Sequence, residues 1–509
     1  MSEFYITTPI YYVNGVPHIG HAYTTVAADT AARYHRLKGD RTYLLTGTDE
    51  HGQKVEQAAR DHGVSPTEWT DSMSPNWKNV WSRLQISNDD FIRTTEGRHE
   101  GPVKAFLQHL YDAGEIYAGE YEGPYCVACE QFYLESELVD GNCPIHGRPV
   151  ERLKEQNYFF RLSRQSDWLL NDYYARTPSA VRPEARLNEV IGHVRGGLQD
   201  VSVSRPSLEW GIPVPWDPGH VIYVWIEALQ NYITALGYPD GEAFKTFWPG
   251  IHLIGKDILR FHAVIWPAML HAAGEAPPRM VFAHGWLLVR GEKMSKTKLT
   301  GIHPDQLLDA FGADAYRYYF LREIAFGQDG SFSWESMVAR YNADLANGLG
   351  NLASRVLSMI ASYFEGVVPE PGPSAGQEAL ERAVADALPR YVDAMERFAF
   401  HEAIDAAFGI VREANGFIVA TAPWTMAKDP AQRATLGTVL WSAAEALRVL
   451  ALLLFPVMPA ACEKLWAQLG IAGTLSSRSL DEAARWGGLA PGTTVSKGEA
   501  LFPRITDVE

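Results

Sequence analysis

Residues 4–52 of the chain read FYITTPIYYVNGVPHIGHAYTTVAADTAARYHRLKGDRTYLLTGTDEHG. Phe4 to Ile10 is rich in β-branched and aromatic side chains and predicts a strand. Asn14, Gly15 and Pro17 then form a loop, and the run from about His18 to Lys38 predicts a helix. A second strand, Tyr43 to Thr46, ends in the polar loop Gly47 to Gly52. Strand, loop, helix, strand opens a parallel α/β sheet, and such sheets bind ligands beyond the carboxyl ends of their strands.

Beyond this stretch the pattern breaks from about Glu115 to Gly219, where Cys, Pro, Gly and short β-like runs dominate, as in an inserted domain. Alternation resumes with a strand at Val221 to Ile226, a helix to Leu236, a strand at His252 to Ile254, a helix from Asp257 to Ala272 and a strand at Met280 to Ala283. After about Asn342 the texture changes to Ala/Leu-rich segments of helical spacing, Glu378 to Phe398, His401 to Val419 and Ala434 to Leu454, which predict a helical bundle. The Pro/Gly-rich stretch Gly366 to Gly376 lies between similar helices and is an inter-helix loop.

Forty-six per cent apolar and 21% charged residues exclude general disorder, and 509 residues suggest roughly three folded units. The 45 Lys and Arg against 61 Asp and Glu leave a net charge of −16, which disfavours unspecific adhesion to nucleic acid or an anionic membrane. The opening residues lack the basic cluster and apolar run of a secretory signal. The longest apolar run, Val449 to Cys462, is interrupted by Pro456 and Pro459 and falls short of the ~20 residues of a bilayer span. A soluble, cytoplasmic protein with no membrane partner is expected. Four cysteines, three of them clustered, make a poor disulfide framework and a better metal site.

Two constellations carry chemistry. Pro17-His18-Ile19-Gly20-His21 stands where a strand gives way to a helix, whose N-terminus offers free N–H groups and partial positive charge to phosphate; Gly20 leaves room for a flat base or sugar. Lys293-Met294-Ser295-Lys296-Thr297 lies in Arg290 to Thr300, a run with four basic residues and one acid between Gly291 and Gly301. Lysines on either side of a small hydroxyl residue can neutralise nucleotide phosphates as charge develops at phosphorus.

With both motifs in this order the chain resembles the class I aminoacyl-tRNA synthetases, with HIGH at His18 to His21 and KMSKS, here ending in Thr297, at Lys293 to Thr297. It is most similar to the methionyl-tRNA synthetase family, from Tyr5 through at least Trp424. The implied fold is a Rossmann-like parallel-sheet catalytic domain (1–114 and 220–289), an inserted zinc-knuckle domain (115–219), a KMSKS-loop and stem-contact region (290–341), and an α-helical anticodon-binding bundle (342–509). Cys126-x2-Cys129-x13-Cys143-x2-His146 supplies three thiolates and an imidazole for one closed, structural zinc. A closed site speaks against the cysteinyl relatives, whose zinc holds the substrate.

The resemblance implies further roles. ATP would be held by His18, Gly20, His21, Gly255, Asp257, Lys293, Ser295 and Lys296, with Mg²⁺, and His18, His21, Lys293 and Lys296 would be catalytic. Asp49 would grip the methionine α-ammonium. Tyr12, Trp225, Tyr232, His262 and Trp266, walled by Ile10, Ala228, Leu229 and Ile258, would form a slot suited to a polarizable thioether. Arg205 would lie near the methionine carboxylate and the phosphates. Asn347, Asn351 and Arg355, recurring every fourth residue, and Trp424 after Pro423 would read the CAU anticodon of tRNA(Met). The stretch between the motifs is too short for a hydrolytic editing domain, and no appended dimerising domain follows the bundle, so a monomer is expected. A small nucleotidyltransferase of the same superfamily would lack the bundle, and a noncatalytic RNA-binding paralogue would not need both phosphate motifs.

Overall fold

The computed structural model describes residues 2–127, 131–133, 135–145, 147–206, 208–289, 292–293 and 302–506. Its centre is a six-stranded sheet in the spatial order Asp90–Arg93, Arg41–Asp49, Glu3–Tyr12, Ile251–Gly255, Met280–His284 and Val181–Arg182, parallel at every pairing. We label the first three strands in chain order β1 (Glu3–Tyr12), β2 (Arg41–Asp49) and β3 (Asp90–Arg93), and the helix Ile19–Lys38 α1. Chain order reverses between β1 and Ile251–Gly255, which opens a crevice at the carboxyl ends of those two strands.

β1 is longer than the sequence suggests. Pro9 cannot donate to the ladder, and the register shifts between Thr7 and Ile10, after which Ile10 to Tyr12 pair again with Gly47 to Asp49. β2 therefore continues through three residues expected to be loop. Gly47 makes this possible: a Cβ there would fall 2.1 Å from the Ile92 carbonyl oxygen of β3. α1 ends at Gly39, whose φ of 90° lets its N–H bond back to the carbonyls of His35 and Arg36.

The expected strand Val221 to Ile226 is not part of this sheet. Val221 and Ile222 end a short antiparallel strand, Asp217–Ile222, in a separate three-stranded sheet, and Val224–Ala228 is helical. Conversely, the edge strand Val181–Arg182 comes from within the segment 115–219. The rest of that segment is built on the antiparallel pair Ile116–Cys126 and Glu151–Phe160, in register from Ile116 opposite Phe160 to Tyr125 opposite Glu151.

The C-terminal half packs Asn351–Phe364, Glu378–Glu396, Phe400–Thr421, Arg433–Leu454 and Pro459–Gln468 into a bundle whose buried side chains are continuous with those of α1. One helical stretch, Pro430–Leu454, is long and apolar enough to cross a bilayer, yet it is buried in the protein interior. At the junction Arg317, fully buried, pairs with Asp29 of α1 at 2.7 Å and donates to the carbonyls of Val457 (2.7 Å), Pro456 (2.8 Å) and Leu84 (3.2 Å). A single guanidinium thus joins α1, the approach to β3 and the bundle.

Candidate active site

His18 is the N-cap of α1. Its Nδ1 accepts from the Gly20 N–H (3.1 Å), and the His18 N–H donates to Nδ1 of His21 (3.2 Å). Two imidazoles thus do the work of a capping box, and their rings stack 3.5 Å apart at 21°. Because each Nδ1 accepts, the neutral rings carry their protons on Nε2, so both present an N–H donor. Tyr11 and Trp77, stacked on each other at 5.2 Å, both meet the His21 ring at 5.0 Å. The first turn carries no acid, so nothing there offsets the partial positive charge of the twenty-residue helix.

The second motif is bounded by described residues on both sides. Lys293 lies in the strand Glu292–Lys293, paired antiparallel with Leu287–Val289. On the far side of the basic run the chain returns to α1, where the Ile19 N–H donates to the Ile302 carbonyl at 3.1 Å. Ser295 and Lys296 lie outside the described residues, as do Cys129 and His146 of the proposed zinc site.

The expected methionine pocket is assembled from four segments. Leu229, Tyr232 and Trp266 belong to one apolar cluster, against which Ile10, Tyr12, Trp225 and Ile258 pack half-buried; Ala228 is buried beside Leu229. Tyr12 meets Trp225 edge-on at 6.2 Å, and Trp225 stacks on Phe261 at 4.1 Å, a ring the sequence did not single out. The Tyr232 hydroxyl donates to Nε2 of His262 (2.7 Å), whose Nδ1–H donates to the Ile258 carbonyl (3.0 Å). Burial pushes the His262 pKa down to about 4, so the ring is neutral and its two roles are fixed. Asp49, 3% exposed, ends β2 directly opposite Tyr12.

Gly255 ends the neighbouring strand, and Asp257 follows in a single 3₁₀ turn. The Asp257 carboxylate accepts from the Trp286 indole N–H at 3.3 Å; Lys256 lies over that indole at 4.1 Å and pairs with Asp329 at 2.7 Å. His284 accepts from the Thr24 hydroxyl of α1 at 2.7 Å, tying the two sides of the crevice together. Arg205 is buried between the rings of Tyr223 (4.1 Å) and Tyr125 (5.7 Å) and donates to Ser202 Oγ and the Ser204 carbonyl.

In the bundle Asn347 and Asn351 are exposed and Arg355 half-buried. Asn347 sits in a π-helical stretch, Tyr341–Gly350, and the other two in the α-helix that follows. Trp424 is 42% exposed, and the Arg355 guanidinium lies 5.6 Å from the centre of its ring. The Trp424 indole is therefore one half of a cation–π pair.

Sequence reasoning missed a buried acid beneath the pocket. Glu227 accepts from Nδ1–H of His51 at 2.9 Å, and Nε2 of His99 lies 3.5 Å from its other oxygen. Burial alone would raise the Glu227 pKa, but the two imidazoles outweigh it and hold the carboxyl below its usual range; His51 is raised because Glu227 outweighs its own burial. The only sequence cue was an acid in the apolar run Val224 to Leu229.

Comparison with known proteins accords with this geometry. Residues 4–152 and 135–357 match the family model described as tRNA synthetases class I (M), and residues 368–509 match the anticodon binding domain of methionyl tRNA ligase. The chain is 52% identical to the methionine–tRNA ligase of Streptomyces coelicolor, over 99% of this chain and 97% of that protein. It is 51% identical to that of Caldanaerobacter subterraneus, of which it spans 79%. Mycobacterium tuberculosis methionyl-tRNA synthetase in complex with methionyl-adenylate matches with a TM-score of 0.95 at 44% identity, covering 99% of this chain and 100% of that one. The apo form of that protein matches at 0.86 and 42% identity, over 100% and 99%. The chain belongs to the methionyl-tRNA synthetase family of the class I aminoacyl-tRNA synthetases.

Proposed function

We infer that this protein is a methionine–tRNA ligase, which activates L-methionine with ATP to methionyl-adenylate and pyrophosphate and then transfers methionine to the terminal adenosine of tRNA(Met), for initiation and elongation. The observation that carries this is the meeting of the histidine-capped head of α1 with the returning end of the basic loop, through Ile19 and Ile302, in a chain related over its whole length to methionine–tRNA ligases. The methionine carboxylate attacks the α-phosphorus already ionised, so no general base is needed, and catalysis is positioning plus relief of charge. His18 and His21 donate Nε2–H to the phosphates, and Lys293 and Lys296 neutralise them from the loop; Ser295 belongs to the same loop. Mg²⁺ bound with ATP would supply further neutralising charge. Asp257, oriented by Trp286, accepts from the ribose hydroxyls beside Gly255. Asp49 pairs with the α-ammonium, and the rings of Tyr12, Trp225, Tyr232, His262 and Trp266 enclose the thioether. Arg205 is assigned a place near the methionine carboxylate and the phosphates. In the second step the terminal ribose 2′-hydroxyl attacks the acyl carbonyl of the adenylate, the mixed-anhydride C–O bond breaks and AMP leaves, taking up the hydroxyl proton.

A structural zinc fits the donor chemistry of the inserted segment. Cys126 and Cys143 are both buried in one small cluster with Tyr133, and with Cys129 and His146 they would hold the ion. Asn347, Asn351, Arg355 and Trp424 are proposed to read the anticodon, and the protein to act as a cytoplasmic monomer with the domain divisions given above. The test is amino-acid-dependent ATP–pyrophosphate exchange across the twenty amino acids. Exchange with methionine is expected, whereas exchange with cysteine or leucine in its place, or none, overturns the assignment.

A further inference from the structure

The buried acid beneath the pocket has no place in the mechanism above. We propose that Glu227 is a positioning residue for methionine recognition, clamping the end of β2 that carries Asp49 to the helix that carries Trp225 and Ala228. This rests on the assignment of Asp49 to the methionine ammonium.

Glu227 lies in Val224–Ala228, between Ile226 and Ala228, and is fully buried. Hydrocarbon at this position would fold without the cost of burying a charge, so a carboxylate here calls for another reason. Its partners come from two other elements. His51 stands two residues beyond Asp49 and donates Nδ1–H at 2.9 Å. His99 belongs to the helix Gly97–Asp112; its Nδ1 lies 2.8 Å from the Thr234 hydroxyl, whose proton it accepts, and its Nε2 lies 3.5 Å from the second Glu227 oxygen, near it but not hydrogen-bonded to it. Thr234 closes the short helix Asn231–Thr234, which also carries Tyr232, the donor to His262. Glu227, His51 and His99 are each no more than 4% exposed. Apolar contact is not directional, whereas the His51 hydrogen bond, with the His99 ring held 3.5 Å from the other oxygen, sets both the distance and the angle between the Asp49 loop and the ring-bearing helices. Misplacing a reacting group by 1 Å can cost about 10²-fold in rate. The ATP-contacting groups are on α1, Gly255 to Asp257 and the basic loop, outside this clamp. Its loss therefore acts on methionine and spares ATP.

The experiment measures methionine and ATP KM in ATP–pyrophosphate exchange, with melting temperatures, for Glu227→Ala, His51→Ala, His51→Asn and Asp49→Asn. Glu227→Ala and His51→Ala are expected to raise methionine KM about tenfold or more and ATP KM no more than about twofold. His51→Asn, whose amide N–H can replace the Nδ1–H donor, is expected to return methionine KM to within about threefold of the parent. Should Glu227→Ala not fold, Glu227→Gln, which keeps an acceptor for His51, serves in its place with an expected rise of about threefold or more. Unchanged methionine KM, equal rises for both substrates, or a His51→Asn variant as impaired as His51→Ala each overturn the proposal. Asp49→Asn separates the two layers. If it leaves methionine KM unchanged, the Asp49 assignment falls and this inference with it; if it raises KM while Glu227→Ala does not, only the Glu227 role falls.

Discussion

His18 and His21 combine two jobs that substitution can separate. Each ring uses Nδ1 to cap α1, which leaves its proton on Nε2 for the donor role proposed above. Asparagine is a good N-cap but cannot place a donor where Nε2–H stands. His18→Asn is therefore expected to melt close to the parent while kcat for exchange falls about 10²-fold, the loss typical of one transition-state donor; an unchanged kcat would show the histidine to be a cap only. Trp424 is argued similarly. Stacking a base on an aromatic ring is worth about 1–3 kcal/mol, so Trp424→Ala should raise the KM for tRNA about fivefold or more and leave ATP–pyrophosphate exchange intact. His262 has a proton-linked consequence. Its folded pKa of about 4 lies below the unfolded 6.5, so the unfolded chain takes up the proton first. The stability this ring contributes is complete above pH 6.5 and is lost as pH falls toward 4. Urea titrations across that range should show a shallower pH dependence for His262→Gln, by up to about 1.4 kcal/mol per pH unit.

At the scale of elements, β2 shows how tertiary context extends a strand. Gly47, Thr48 and Asp49 look like turn formers, but all three pair with β1, Gly47 and Thr48 pair with β3 on the other side, and the Gly47 backbone passes where no side chain would fit. Asp49 thereby becomes the buried end of a rigid strand, a better support for recognition than a loop. The zinc proposed for the inserted segment acts at the same scale. The segment's cluster around Cys126 and Cys143 holds few apolar side chains, so zinc should supply much of its local stability. Elemental analysis of fresh protein is expected to find about one zinc per chain, with Cys143→Ser losing it and becoming sensitive to proteolysis between Ile116 and Phe160. Metal-free parent protein of undiminished protease resistance would remove the knuckle from the account.

For the molecule as a whole, a net charge of −16 means that tRNA meets local basic and aromatic patches on a surface that otherwise repels it. Charging should weaken as salt rises. The joint between catalytic sheet and bundle is polar at its centre. Arg317→Met would leave Asp29 with Arg33 as its remaining cation and orphan the carbonyls of Pro456, Val457 and Leu84. A loss of about 3–5 kcal/mol in urea unfolding is expected, with the catalytic and bundle signals no longer coincident.

The sequence by itself determined the parallel α/β opening, the insertion, the bundle and the two phosphate motifs, because hydrophobic period, turn residues and local charge are written in short stretches of chain. Pairing in space decided the rest. Val221 and Ile222 have the composition of a parallel strand, yet they pair antiparallel with Ser204 and Arg205. Val181–Arg182 is too short to register in the sequence and still closes the sheet edge. Phe261, Trp286, His51 and His99 carry no local signature, and Glu227 shows only as an acid in an apolar run, since what defines them is the neighbour each meets across tens to hundreds of residues. A buried carboxylate can be tolerated only where distant imidazoles arrive to pair with it, and only the folded chain brings them there.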